Sequence, residues 1–99
     1  MIIFDEIDVG IGGKIAAIVG QMLGELGVAK QVICITHQPQ TASFGNYHMV
    51  VEKQEINKVH TTNVRYIYDS GRVEEIARML GGMQITDATI AHAKELLNY

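Results

Sequence analysis

The opening stretch Met1 to Gly13, MIIFDEIDVGIGG, constrains the fold more than any other. Ile2, Ile3 and Phe4 run without interruption into Asp5 and Glu6. A third acid, Asp8, then precedes a glycine-rich turn at Gly10, Gly12 and Gly13. A short unbroken apolar run predicts a strand buried on both faces. Folding such a strand does not call for two adjacent carboxylates at its tip. A ligand does, because open α/β sheets bind ligands at the carboxyl ends of their strands.

The following segment predicts how that tip is completed. From Lys14 to Leu26, Ile15, Ile18, Val19, Met22, Leu23 and Leu26 recur at helical spacing and read as a core stripe. Ala17, Gly20 and Gly24 form a second face of small residues. Each helical glycine costs about 1 kcal/mol relative to alanine, a cost either offset by close packing or simply tolerated. Gly27 is expected to cap the helix. Gln31 to Ile35 is again continuously apolar and predicts a second buried strand, ending in Thr36, His37, Gln38 and Pro39. Strand, helix, strand implies parallel pairing with a right-handed crossover. That topology brings Asp5, Glu6 and His37 to one edge of the sheet.

The remainder predicts an antiparallel hairpin and two helices. Pro39 to Ser43 is a candidate short helix, and Gly45 and Asn46 mark a turn. Tyr47 to Lys53 and Lys58 to Tyr68 read as strands around a polar turn at Gln54 to Asn57. Val59 and Val64 differ in parity, which predicts a bulge near Thr61 to Asn63, whereas Tyr66 and Tyr68 share the face of Val64. Asp69–Ser70 has the character of a helix N-cap. Val73, Ile76, Ala77 and Leu80 give the next apolar stripe, Glu74 and Glu75 read as a solvated face, and Gly81–Gly82 stop the helix. Thr86 or Asp87 is expected to cap a last helix to about Leu97, with Ile90, Ala93 and Leu97 facing inward.

Composition narrows the classes. A chain of 99 residues suggests one domain, burying about 60–65% of its unfolded surface. With 47% hydrophobic and 19% charged residues and a net charge of −3, it has no broad basic surface that announces nucleic-acid binding. The single Cys34 sits in an apolar run, cannot form an intrachain disulfide and suits a reducing cytoplasm. Its expected burial raises its pKa and argues against a nucleophile. No run of eighteen apolar residues reads as a membrane span, and no basic n-region precedes the first apolar run. His48, His60 and His92 show no close metal-ligand spacing.

The chemistry available at the acidic tip is phosphoryl transfer. Asp5 supplies a hard oxygen ligand suited to a hydrated Mg²⁺. Glu6 can orient or deprotonate a water. His37 can donate a hydrogen bond to a phosphate oxygen. Asp8 is expected to point outward along the same edge.

These motifs resemble those of ABC-type ATPase heads. IIFDEID is similar to a Walker B strand with its catalytic glutamate and following D-loop, and ITHQPQ to a switch-histidine loop. Five ordered segments narrow the resemblance: FDEIDVGIGGK, VICITHQPQTAS, VEKQ, RVEEIARMLGG and ITDATIAHAKELL resemble the C-terminal part of the RecN family, bacterial DNA-repair ATPases related to the structural-maintenance-of-chromosomes (SMC) proteins. The resemblance implies an α/β fold, the C-terminal lobe of a P-loop NTPase head: a parallel βαβ core with an antiparallel hairpin and two terminal helices. It implies Asp5 on Mg²⁺ through water, Glu6 as general base, Asp8 in a D-loop that communicates across an ATP-sandwiched dimer, and His37 on the γ-phosphate. ATP and Mg²⁺ are the implied ligands, and double-strand-break repair by recombination the implied function. The implied setting is the bacterial cytoplasm and nucleoid. The implied partners are DNA, the N-terminal part of the head and a second head, with no membrane. Gly12 departs from the family's usual serine and leaves the acids untouched.

No G-x-x-x-x-G-K-[ST] phosphate loop occurs, and Gly10 to Lys14 has the wrong spacing for one. The signature motif is also missing. Beginning inside a strand, the chain reads as the last piece of a split head. It is expected to be inactive alone and to self-associate through the open edge of its first strand. Two alternatives stand beside this: the same lobe of another ABC-type ATPase, such as a transporter subunit, and a non-catalytic docking fragment.

Overall fold

Ile2–Asp5 (β1) and Val32–Ile35 (β2) pair in parallel in the computed structural model, which describes residues 1–99. Gly13–Ala29 (α1) crosses between them. The register runs from Ile2 opposite Val32 to Asp5 opposite Ile35, so both carboxyl ends emerge at one edge, as the βαβ reading requires. Pro39–Ala42 (α2) follows, its first position taken by a buried proline whose missing N–H is needed by no helical bond. The rest is the hairpin His48–Ile56 (β3) and Val59–Ile67 (β4), then Asp69–Gly81 (α3) and Asp87–Leu97 (α4).

The burial of the first half reverses the expectation. β1 is not buried on both faces: Ile2 and Phe4 are half-buried, while Ile3 and Asp5 are exposed. β2 is likewise half-buried up to an exposed Ile35. On α1 the predicted core stripe lies open, with Ile15, Ile18 and Met22 exposed. The buried residues are Ala16 and Gly20, from the small side of the helix. The reason is geometric. A two-stranded sheet offers too little area to cover the large residues, and Val19, Met22, Leu23 and Leu26 instead line an apolar groove of about 430 Å³ with Phe4 and Ile7. The small face packs on α2. A Cβ at Gly20 would lie 2.6 Å from Phe44 Cδ2 and 3.1 Å from Thr41 Cα, so close approach offsets the cost of that glycine. At Gly24 the nearest atom would be 3.8 Å away, ordinary contact. Gly27 does not cap the helix: α1 continues to Ala29 and closes where the Lys30 N–H donates to Leu26 O at 3.2 Å.

The hairpin is longer and more regular than its sequence suggests. Its ladder is one-to-one from His48 opposite Ile67 to Ile56 opposite Val59, without the predicted bulge. The turn is Asn57–Lys58, both at positive φ (51° and 63°), a primed two-residue turn that matches strand twist. The parity mismatch of Val59 and Val64 needs no bulge because both valines are exposed, and no buried face dictates which side they take. Tyr66 and Tyr68 stack on one face with centroids 6.2 Å apart.

The hydrophobic core sits between the last two helices. Val73, Ile76 and Ala77 of α3 meet Ala93 and Leu97 of α4, with Leu80 and Ile90 packed at the margin, as their spacing predicts. Tyr68, not Asp69 or Ser70, holds the N-cap position of α3, and it makes no side-chain cap bond. Gly82, at φ +68°, ends α3 in a conformation that favours glycine. Thr86 caps α4 through a reciprocal box. Its Oγ1 accepts from the Thr89 N–H at 3.2 Å, and its own N–H donates to Thr89 Oγ1 at 2.9 Å. Glu75 is not part of a solvated face: its side chain is largely covered and pairs with Arg78. No helix is long and apolar enough to cross a membrane.

Arg72 joins the two halves. Its Nη2 shares its two hydrogens among the carbonyls of Gly45 (2.6 Å), Ala42 (3.2 Å) and Ser43 (3.3 Å), at the end of α2 and in the turn that follows it. His48 lies beside it, with Nδ1 buried and unpartnered. Burial, then the Arg72 charge, holds the His48 imidazole below its ordinary range, partly opposed by Glu75. The unfolded chain therefore binds this proton more readily than the folded one. Stability contributed at His48 is full above about pH 6.5 and is lost as the pH falls from there through the lower pKa of the folded state. Urea midpoints measured at pH 7.5 and 5.5 should show a decrease that is smaller in His48→Gln than in the wild type.

Candidate functional site

Asp5 is the last residue of β1, and the chain turns sharply after it. Glu6 adopts φ +51°, an unusual conformation for a residue with a side chain. Its N–H donates to Ile35 O at 2.8 Å, extending the bond pattern of the parallel pair by one step. The turn sends the Glu6 carboxylate across the edge, where Oε1 lies 2.9 Å from His37 Nε2. Backbone in the left-handed region costs of order 1–3 kcal/mol for such a residue and concentrates at functional sites. Asp5 stands exposed beside this pair. Glu6 and His37 thus meet at the carboxyl edge of β1 and β2, and Asp5 ends β1 at the same edge. His37 remains 86% exposed and Glu6 41% exposed at the side chain, so a ligand can reach both.

Asp8 is placed differently from the expectation. It does not point outward; it is 1% exposed and turned under the tip of β2. Its Oδ2 accepts from the Thr36 hydroxyl and, at 2.6 Å, from the Thr41 hydroxyl. Thr41 also bridges at 3.2 Å to Ala16 O on α1. Gln38 Nε2 donates to Ile11 O at 2.8 Å and to Asp8 O at 3.3 Å, and the Gln38 N–H donates to Thr36 Oγ1 at 2.9 Å. A buried carboxylate is costly unless hydrogen-bonded; two hydroxyls from the β2–α2 segment satisfy Oδ2, while Oδ1 is buried without a partner. Thr36, Gln38 and Thr41 are the residues sequence reasoning missed. No spacing in THQPQT pointed to this role, because loop hydroxyls and amides have many possible partners.

The donor set is oxygen-rich. No group of three or more His, Cys, Asp or Glu side chains gathers as a metal cage. Cys34 is half-buried, and burial, then the neighbouring Asp8, pushes its thiol pKa up, which suits an inert thiol. Two accessible carboxylates and an imidazole on a parallel sheet edge can hold a hard cation, orient water and donate to an anion.

The chain is 42% identical over 97 residues to the DNA repair protein RecN of Halalkalibacterium halodurans. It is 48% identical over 96 residues to RecN of Vibrio cholerae. The chain is RecN-like over nearly its whole length. The match to RecN of Rickettsia bellii, at 49% identity over 96 residues, takes in 97% of this chain and 18% of that protein. Coverage is 98% of this chain and 17% of the relative for Halalkalibacterium, and 97% and 17% for Vibrio. The chain therefore spans about one sixth of the RecN proteins it matches. No family model matches it.

Proposed function

We propose that this chain supplies the acidic edge of an ATP-hydrolysing site in a RecN-type DNA-repair protein acting in recombinational repair of double-strand breaks. The observation that carries the reading is the Glu6–His37 pair, 2.9 Å apart at the carboxyl end of two parallel strands, with Asp5 beside it. The residues fit Mg²⁺, which uses one or two carboxylates and leaves its other positions to water and phosphate oxygens. Asp5 would hold it, through water, and when bound the ion would offset charge on the phosphate oxygens.

In this reading Glu6 orients the attacking water and accepts its proton. His37 keeps Glu6 aimed in the absence of nucleotide and offers its N–H to the γ-phosphate when nucleotide arrives. The apolar groove on α1 and the unpaired edge of β1 support a larger unit, with the phosphate-cradling part of the head packed here and a second head closing over ATP. Without those parts the chain alone would neither hydrolyse ATP nor hold it tightly, and would self-associate. Asp5→Ala in the intact protein is expected to raise the Mg²⁺ concentration needed for half-maximal ATP hydrolysis at least tenfold. An unchanged Mg²⁺ requirement would remove Asp5 from the site.

A further inference from the structure

The buried carboxylate of Asp8 does something that an outward-pointing acid could not. Asp8 is two residues beyond Glu6, and Thr36 immediately precedes His37. A bond from Thr36 to Asp8 Oδ2 therefore ties together the two segments that carry the site's water-orienting acid and its imidazole. Gln38, on the other side of His37, donates back to the carbonyls of Asp8 and Ile11. His37 is thus held on both flanks by the turn that carries Glu6. Thr41 extends the tie to α2 and, through Ala16 O, to α1. The exposed Glu6–His37 pair has little else to fix it, since neither side chain is buried.

The geometry points to Asp8 as a positioning residue: an internal clasp, with Thr36, Gln38 and Thr41, that sets the distance between Glu6 and His37. This rests on the hydrolytic reading of the site. The chemistry supports a clasp over a ligand contact. Asp8 is closed off from solvent, with Oδ2 engaged by two hydroxyls and Oδ1 buried without a partner. A charge-assisted bond from a hydroxyl is short and directional, so it fixes loop position better than packing of half-exposed side chains. Thr36→Val removes the donor while keeping the shape, and Thr36→Ser keeps the donor. The pair therefore separates the hydrogen bond from the volume.

The test uses the intact protein with two readouts. In hydrogen–deuterium exchange, Asp8→Asn and Thr36→Val should raise exchange across residues 35–41 at least tenfold and leave α3 and α4 unchanged, whereas Thr36→Ser should exchange like the wild type. In ATP hydrolysis, both should lower kcat about tenfold with KM within about twofold, because the clasp aligns and does not bind. That loss should nearly vanish in a His37→Ala background if Asp8 acts through His37. Unchanged exchange over 35–41 would overturn the clasp, as would an Asp8→Asn loss that persists in full alongside His37→Ala. A Glu6→Gln control identifies the other failure. If hydrolysis survives it, the hydrolytic reading falls, while the exchange data still decide whether Asp8 holds the loop.

Discussion

Glu6→Gln is expected to lower ATP hydrolysis by the intact protein at least about 100-fold while leaving nucleotide binding within a few-fold of wild type. General-base catalysis contributes about 10²–10⁴ in rate, and the amide keeps the shape of the carboxylate while losing its basicity. Glu6 sits on an exposed turn at φ +51°, outside every apolar cluster, so the exchange of one oxygen for nitrogen disturbs no packing. The Glu6–His37 contact can survive as a neutral hydrogen bond. Single-turnover hydrolysis measured beside equilibrium binding of ATP separates the two effects. Hydrolysis near the wild-type rate would show that some other group activates the water.

The second large effect concerns stability. Ile76 has no exposed surface and stands at the centre of the cluster formed with Val73, Ala77, Ala93 and Leu97. Ile76→Ala removes buried methyl and methylene groups and leaves a cavity, at a cost of about 2–5 kcal/mol. A domain of this size is stable by about 5–15 kcal/mol in total, so the variant should lose a large fraction of its stability. A fall in the urea midpoint of about 1 M or more is expected, given a slope of about 1–3 kcal/mol per M. A shift below about 0.3 M would mean that the neighbouring side chains collapse into the space, or that the core lies elsewhere.

How much of this could be read in advance differs between the two halves. The α3–α4 pair was legible because its stripe, Val73, Ile76, Ala77 and Leu80, finds its complement, Ile90, Ala93 and Leu97, within the same chain. The stripe on α1 was equally clear as a pattern, yet Ile15 and Ile18 are exposed and Val19, Met22, Leu23 and Leu26 line an open groove. Periodicity reports which face can be buried, and whether it is depends on what stands opposite. The hairpin register was misjudged for a related reason. With β4 exposed along nearly its whole length, residue parity carried no information about a core, and the Asn57–Lys58 turn decided the pairing.

At the candidate site, strand order was enough to predict that Asp5, Glu6 and His37 share an edge, because parallel topology fixes where strand ends emerge. The inward turn of Asp8 was not legible. It depends on Thr36 and Thr41 reaching back across 28 and 33 positions of sequence to one oxygen. Hydroxyls in a loop are too common for their partners to be deduced from spacing.

The separation of core from sheet edge has a genetic consequence. The apolar cluster that carries stability lies in α3 and α4, and the side chains proposed to act on substrate lie on turns at the tips of β1 and β2. Alleles should divide accordingly. Lesions in the helical pair deplete the polypeptide and behave as simple absences. On the proposed reading, lesions at Asp5, Glu6 or His37 should leave a full complement of folded molecules that lack the activity.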